Sequence, residues 1–250
     1  NCSDATDEID CTPLIVPDGY DQIKPPPNKN IEWYSRNMFG QPNDVHVTFT
    51  VLDIYDINEK ESTLTVRYKF DRSWRDSRLI FRDLSSEYTR NVIDVKKIWY
   101  PRFEQPSNIK NLITIEHHGV FAMKESNFTR YNEKHQILRS KIFDGANNPV
   151  IMSETQQVEL FCNFKNLARY PFDEEECIIT IAMNEPITNS IRLIARIEDK
   201  GPKMFSQYYI ENWTITCEDK TSKFMVTIKL QLHRNFYMIL LVIYVPTLMV

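Results

Sequence analysis

The stretch LTVRYKF, Leu64 to Phe70, decides the fold. Leu64, Val66, Tyr68 and Phe70 occupy every second position, with Thr65, Arg67 and Lys69 between them. Successive side chains of a strand point to opposite faces, so this spacing predicts a strand with one buried and one wet face. VHVTFTV repeats the pattern with Val45, Val47, Phe49 and Val51, and FMVTIKLQL with Phe224, Val226, Ile228, Leu230 and Leu232. CIITIAM, IRLIARI and YYIENWTIT are further strand stretches. No segment of helical period matches them before Phe236. The reading is all-β: an antiparallel, immunoglobulin-like sandwich of about ten strands.

Two stretches interrupt the strands. The proline- and asparagine-rich run from Ile23 to Asp44 reads as a long surface connection. Residues 106–134 read as an inserted hairpin or loop that carries the His117–His118 pair.

At 250 residues the chain is long enough for one large domain or two small ones. A net charge of −4 gives no footprint for a nucleic-acid partner. There is neither a nucleophile–base signature nor a phosphate-binding glycine loop, so the expectation is a non-enzyme without a cofactor. The five cysteines, Cys2, Cys11, Cys162, Cys177 and Cys217, form no C-x-x-C pair of the kind a zinc knuckle uses. Together with sequons at Asn1, Asn127 and Asn212 they point to an extracellular location and leave one odd thiol, Cys217. The polar start of the chain indicates that any secretory leader has been removed.

Two runs suggest metals, and neither reading holds on the sequence. His117 and His118 could sense protons or bind a transition metal, but neighbours on a strand diverge. Asp173 to Glu176 reads as a mostly solvated acidic edge, because consecutive glutamates on an extended segment cannot all face one ion. Trp74, Asp76 and Arg78 read as a structural corner in which Asp76 and Arg78 pair across a turn. Trp99 and Pro101 read as packing.

Phe236 to Val250 contains no charge. A bilayer span takes about 20 residues, so this run is read as the start of a membrane helix. The expected division is residues 1–235 as the sandwich and 236–250 as the beginning of the first span.

In order, Tyr20-Asp21, WRDSRL around Trp74, Trp99 with Pro101, YPFD between Cys162 and Cys177, Arg234 and Pro246 resemble the signatures of the Cys-loop receptors, the pentameric ligand-gated ion channels. The resemblance spans Leu14 to Val250. It implies a plasma-membrane receptor of five like subunits with residues 1–235 outside the cell. Its partners would be a small-molecule or ionic ligand, bound between neighbouring subunits, and membrane lipid. It also implies a Cys162–Cys177 disulfide, with a Cys2–Cys11 pair as a further possibility. Glu59, the tip Tyr170-Pro171-Phe172, Asp173 and Arg234 would form the junction that passes the signal, with Arg234 paired to Glu59 or Asp173.

The chain departs from the resemblance where relatives that bind amines place aromatic residues. Lys69 stands five residues before Trp74, and Asn184 and Glu185 follow Cys177 by seven and eight. Phe224 is the nearest aromatic of the segment CEDKTSKF. With Lys69, Asp71, Asn184, Glu185 and Phe224, the implied pocket is polar. It would suit a zwitterion, an acid or a metal better than acetylcholine or serotonin, whose cations are held by aromatic faces. The alternatives are a channel modulated by protons or metal, an accessory subunit without a ligand, and a soluble binding protein of the same fold. The cysteine loop holds fourteen residues, one more than the resemblance implies, and the extra one falls in NFKNLAR.

Overall fold

The computed structural model describes residues 13–27, 42–104, 108–131, 140–164, 169–183, 191–202, 204, 207–220 and 223–248. Twelve strands lie among them, arranged in three sheets. The largest has the order β10 (Ile191–Asp199), β2 (Asn43–Asn58), β3 (Thr63–Trp74), β8 (Val150–Phe161) and β5 (Ile109–Ala122). A second contains β11 (Tyr208–Lys220), β12 (Lys223–Arg234) and β9 (Glu174–Met183). The third is small: β1 (Leu14–Ile15), β4 (Ile80–Arg82), β7 (Lys141–Asp144) and β6 (Arg130–Tyr131).

The alternation in the sequence accounts for the layers. Leu64, Val66, Tyr68 and Phe70 on β3 join Val45, Val47 and Phe49 on β2 in the core. From the facing sheet come Ile179, Ile181 and Met183 of β9 and Val226, Ile228, Leu230 and Leu232 of β12. Apolar area removed from water is the main favourable contribution to such a fold, at about 25 cal/mol per Å². Among the described residues all strand pairings are antiparallel except one: β10 runs parallel to β2 over nine residues, Ile191 against Asn43 to Asp199 against Val51.

Residues 109–122 are not an insertion. They form β5, a fourteen-residue edge strand paired to β8. Register shifts at Ile109/Asn111, Thr114/Glu116 and His117/Gly119 disturb its alternation, which removes the period-two signal from the sequence. The DEEE run is also not solvated throughout. Glu174 opens β9, and alternation buries Asp173 and Glu175 while Glu174 and Glu176 face water.

The WRDSR corner is tightly bonded. Arg78 forks onto Asp76, with Nε at 2.9 Å from Oδ1 and Nη2 at 2.7 Å from Oδ2. The Tyr20 hydroxyl donates to Asp76 Oδ2 at 2.9 Å and accepts from the Trp99 amide at 2.9 Å. Burial raises the Tyr20 phenol well above its ordinary pKa, which keeps it a donor. Trp74 and Trp99 meet edge to face at 6.2 Å. Gly145 donates its amide to the Leu79 carbonyl at 3.0 Å. A Cβ at Gly145 would lie 2.3 Å from the Asp76 carbonyl oxygen and 2.8 Å from that of Leu79. Gly145→Ala is therefore expected to destabilise the domain by about 1–3 kcal/mol, the usual range for overpacking, measured as a lowered urea midpoint with unchanged slope.

After Arg234 the chain turns helical: α over Phe236–Ile239, π over Leu240–Tyr244 and α again over Val245–Leu248. Asn235 caps the start, its side chain accepting from the Met238 amide. The wide turn lies just ahead of Pro246, which has no N–H to return to the preceding turn. Among the described residues no helix is long and apolar enough to cross a membrane.

Candidate functional site

Arg234 is the last residue of β12 and its side chain is 4% exposed. Alternation puts it on the core face, in line with Leu232 and Leu230, at the point where apolar partners run out. Its guanidinium is held by three elements. Nε reaches Asp173 Oδ1 at 2.7 Å and Nη2 reaches Asp173 Oδ2 at 2.8 Å, a bidentate fork. Nη1 donates to Glu59 Oε1 at 2.9 Å. Nη2 also donates to the Tyr208 hydroxyl, and that hydroxyl donates to Glu59 Oε1 at 2.9 Å. Arg234, Tyr208 and Glu59 close a ring of hydrogen bonds, and Asp173 is forked onto the same guanidinium. Both acidic partners expected for Arg234 are engaged together.

Each member arrives by a local rule. Glu59 starts the β2–β3 turn, which Ser62 closes at φ 54 with its amide bonded to the Glu59 carbonyl at 3.3 Å. Asp173 lies in the cysteine loop directly before β9 and its side chain is fully buried. Tyr208 opens β11 and is 1% exposed. The Cys162–Cys177 disulfide is present, and the Cys162 amide bonds to the Ser62 carbonyl at 2.9 Å, tying the loop to the turn.

Electrostatics fix the protonation of the ring. Burial works against the Arg234 charge, but the hydrogen bonds it donates to Asp173 and Glu59 outweigh it, so its pKa lies above the ordinary value. Burial raises the Tyr208 phenol, and the bond to Glu59 adds to that against the opposing pull of Arg234. The phenol is thus a neutral donor. Arg234 also stacks on two aromatic faces, Tyr208 at 4.6 Å and Tyr170 at 5.0 Å. Tyr208→Phe is expected to cost about 1.5–3 kcal/mol, the range for bonds to charged groups, read as a lowered thermal midpoint of the purified protein.

Beside this ring the loop tip is apolar and open. Pro171 is buried, Tyr170 is half exposed and Phe172 is 68% exposed. Phe172 stacks on Phe236 in the first helical turn, with ring centroids 4.8 Å apart.

The residues of the expected pocket lie elsewhere. Lys69 and Asp71 sit two apart on β3, on the face opposite Phe70, and pair at 3.0 Å. Asp71 Oδ1 is buried, as is Ser153 Oγ on the cross-strand neighbour in β8, and neither finds a hydrogen-bond partner among the described residues. Phe224 is on β12 in the other sheet, partly buried against the core. One chain therefore does not bring Lys69 and Asp71 together with Phe224. Asn184, Glu185, Asn1, the Cys2–Cys11 pair and most of NFKNLAR lie outside the described residues. Cys217 is a free, exposed thiol on β11.

The two histidines diverge. His117 Nδ1 lies 3.7 Å from Glu154, whereas His118 Nε2 lies 2.9 Å from Thr155 Oγ1. Among the described residues no group of three His, Cys, Asp or Glu side chains is suited to a metal. Glu154 is taken by Arg72 at 2.6 Å, a pair nearly buried under β3 and β8.

Sequence reasoning missed Tyr208, which read only as the start of a strand. Its signal was present: a phenol on the same face as Ile210, where a purely apolar side chain would have sufficed.

A search of characterised proteins returned no sequence match. The family model described as "Neurotransmitter-gated ion-channel ligand binding domain" matches residues 29–241, which covers the two larger sheets, the disulfide-closed loop and Arg234. The chain belongs to the neurotransmitter-gated ion-channel ligand-binding domain family.

Proposed function

We propose that this chain is the extracellular ligand-sensing part of a subunit of a pentameric ligand-gated ion channel, with Phe236 starting the first membrane helix. Four further subunits of the same or related type complete the ring, and ligand binds in the clefts between them. The observation that carries the reading is the closed Arg234–Tyr208–Glu59 ring, with Asp173 forked onto its guanidinium, at the point where β12 enters an apolar helix. It couples the β2–β3 turn, the cysteine loop and β11 to one guanidinium, so a shift of any of the three reaches the helix. Packed contacts of this kind have discrete arrangements, which suits a switch. Phe172 and Tyr170 offer an exposed aromatic tip beside that helix, fit to rest on a membrane domain and on lipid.

The ligand face we assign to Lys69 and Asp71 on one subunit and Asn184, Glu185 and Phe224 on its neighbour. The Lys69–Asp71 pair supports a polar agonist, since its partly exposed ammonium and carboxylate offer a donor and an acceptor side by side. Asn127, in an exposed loop, and Asn212, exposed on β11, are glycan sites in this reading, together with Asn1.

The test is voltage-clamp recording from cells expressing the full-length subunit, with amines, amino acids, protons and zinc applied in turn. Currents to an amino acid or another polar ligand, weakened by Lys69→Ala or Asp71→Ala, are expected. Currents to micromolar acetylcholine would overturn the polar pocket. Channel activity absent under every co-expression with related subunits would overturn the channel reading.

A further inference from the structure

Alternation on β3 turns Phe70, Arg72 and Trp74 to one face, so an arginine stands in the core between two aromatic side chains. Its side chain is 6% exposed. On β8 the residue opposite Phe70 is Glu154, which lies diagonal to Arg72 on the same face. The two side chains pair at 2.6 Å, Nη2 to Oε1. The guanidinium lies over the Phe70 ring at 5.1 Å. Gln156 donates to the second oxygen of Glu154 at 3.3 Å and accepts from the Tyr68 hydroxyl at 2.8 Å.

This polar row ends on a loop. Arg72 Nη1 donates to the carbonyl of Pro101, a buried residue, at 3.4 Å. Two residues on, Phe103 meets Phe70 edge to face at 5.2 Å and bridges to Met183 at the end of β9. The Glu104 amide donates to the Ala182 carbonyl at 2.7 Å. Met183 also faces Phe224 across the β9–β12 ladder, and Asn184 and Glu185 follow it in the chain. Residues 101–104 thus stand between Arg72 and the end of β9. The opposite face of the same stretch of β3 carries Lys69 and Asp71.

We infer that Arg72 and Glu154 are positioning residues for the ligand cleft. The pair sets the 101–104 loop, and through it the end of β9 that leads into Asn184 and Glu185. Stability does not account for the pair, since apolar side chains of similar volume often serve a buried position as well or better. What the guanidinium adds is direction. Its planar fork holds Glu154 and the Pro101 carbonyl at once, which fixes the loop against the sheet. Each subunit then presents both of its ligand faces from one tied block. The link to ligand rests on the assignment of those faces above.

Hydrogen exchange of the detergent-solubilised full-length protein at one pH, read on a peptide spanning Trp99 to Glu104, tests the pair without any agonist. Arg72→Met combined with Glu154→Leu removes both charges and keeps the volume. Exchange in that peptide is expected to rise about tenfold, the scale of one lost bond to a charged group in a segment that opens locally. The urea midpoint is expected to stay at or above that of either single substitution, because no buried charge is left unpaired. Glu154→Gln keeps the shape and drops the charge. It is expected to raise the same exchange about threefold, and it decides the matter alone if the double variant does not fold. Exchange that stays at the wild-type rate in the folded variants, or that rises equally along β11 and β12, overturns the proposal. The loop is read without an open channel, so the pair and the channel reading fail separately.

Discussion

Replacing Arg234 with glutamine is expected to destabilise the domain by about 3–5 kcal/mol, the range for breaking a buried ion pair from one side. The reason is Asp173, whose side chain is fully buried and whose two oxygens are held by the Arg234 fork. Without the guanidinium that carboxylate must stay desolvated and unpaired, or take up a proton. Glu59, at 31% exposure, can turn to water and loses less. Arg234→Lys keeps the charge but has no planar fork, so a smaller loss is expected. Charge reversal, Arg234→Glu, brings three carboxylates together and is expected to lower surface expression as well as gating. Denaturant midpoints for the three variants, with surface labelling of the full-length protein, check the order Lys, Gln, Glu. If Gln and Glu reached the surface at wild-type levels and unfolded at the wild-type midpoint, the ring would not be the anchor described.

The second large effect is removal of the Cys162–Cys177 disulfide, which are fifteen residues apart in sequence. Closing a loop of that size restricts the unfolded chain by about 3 kcal/mol. The double substitution to serine is expected to lose at least that amount, measured by denaturation. The loss should extend to function, because the loop presents Asp173 to Arg234 and Phe172 to Phe236. Both cysteines are also buried in the core, so serine there adds the cost of burying a hydroxyl. A smaller loss than with either single serine variant is expected, since a lone thiol remaining in the singles can form wrong bonds with exposed Cys217.

Much of the fold was legible because an amphipathic strand writes itself into the chain at period two. Leu64 to Phe70, Val45 to Val51 and Phe224 to Leu232 all became strands with the expected residues inward. β5 was not legible, since three bulges break its period and an edge strand buries little. The acidic run misled in the opposite direction. Four like residues look solvated as a composition, yet strand alternation buries every second one.

The candidate site divides along the same line. The sequence determined that Arg234 stands before an apolar run, that a cysteine pair brackets YPFD, and that inward-facing positions are apolar. Those follow from local periodicity and spacing, which a linear chain carries. That Arg234 meets both carboxylates at once, and that Tyr208 closes the ring, was decided only by tertiary structure. Glu59 is 175 residues from Arg234 and Asp173 is 61. Such contacts depend on how sheets stack and where a bulge falls. The same holds for Arg72, whose two partners, Glu154 and the Pro101 carbonyl, come from a strand and a loop that no residue pattern announces as its neighbours. Local periodicity states which way a side chain points, and packing alone states what it points at.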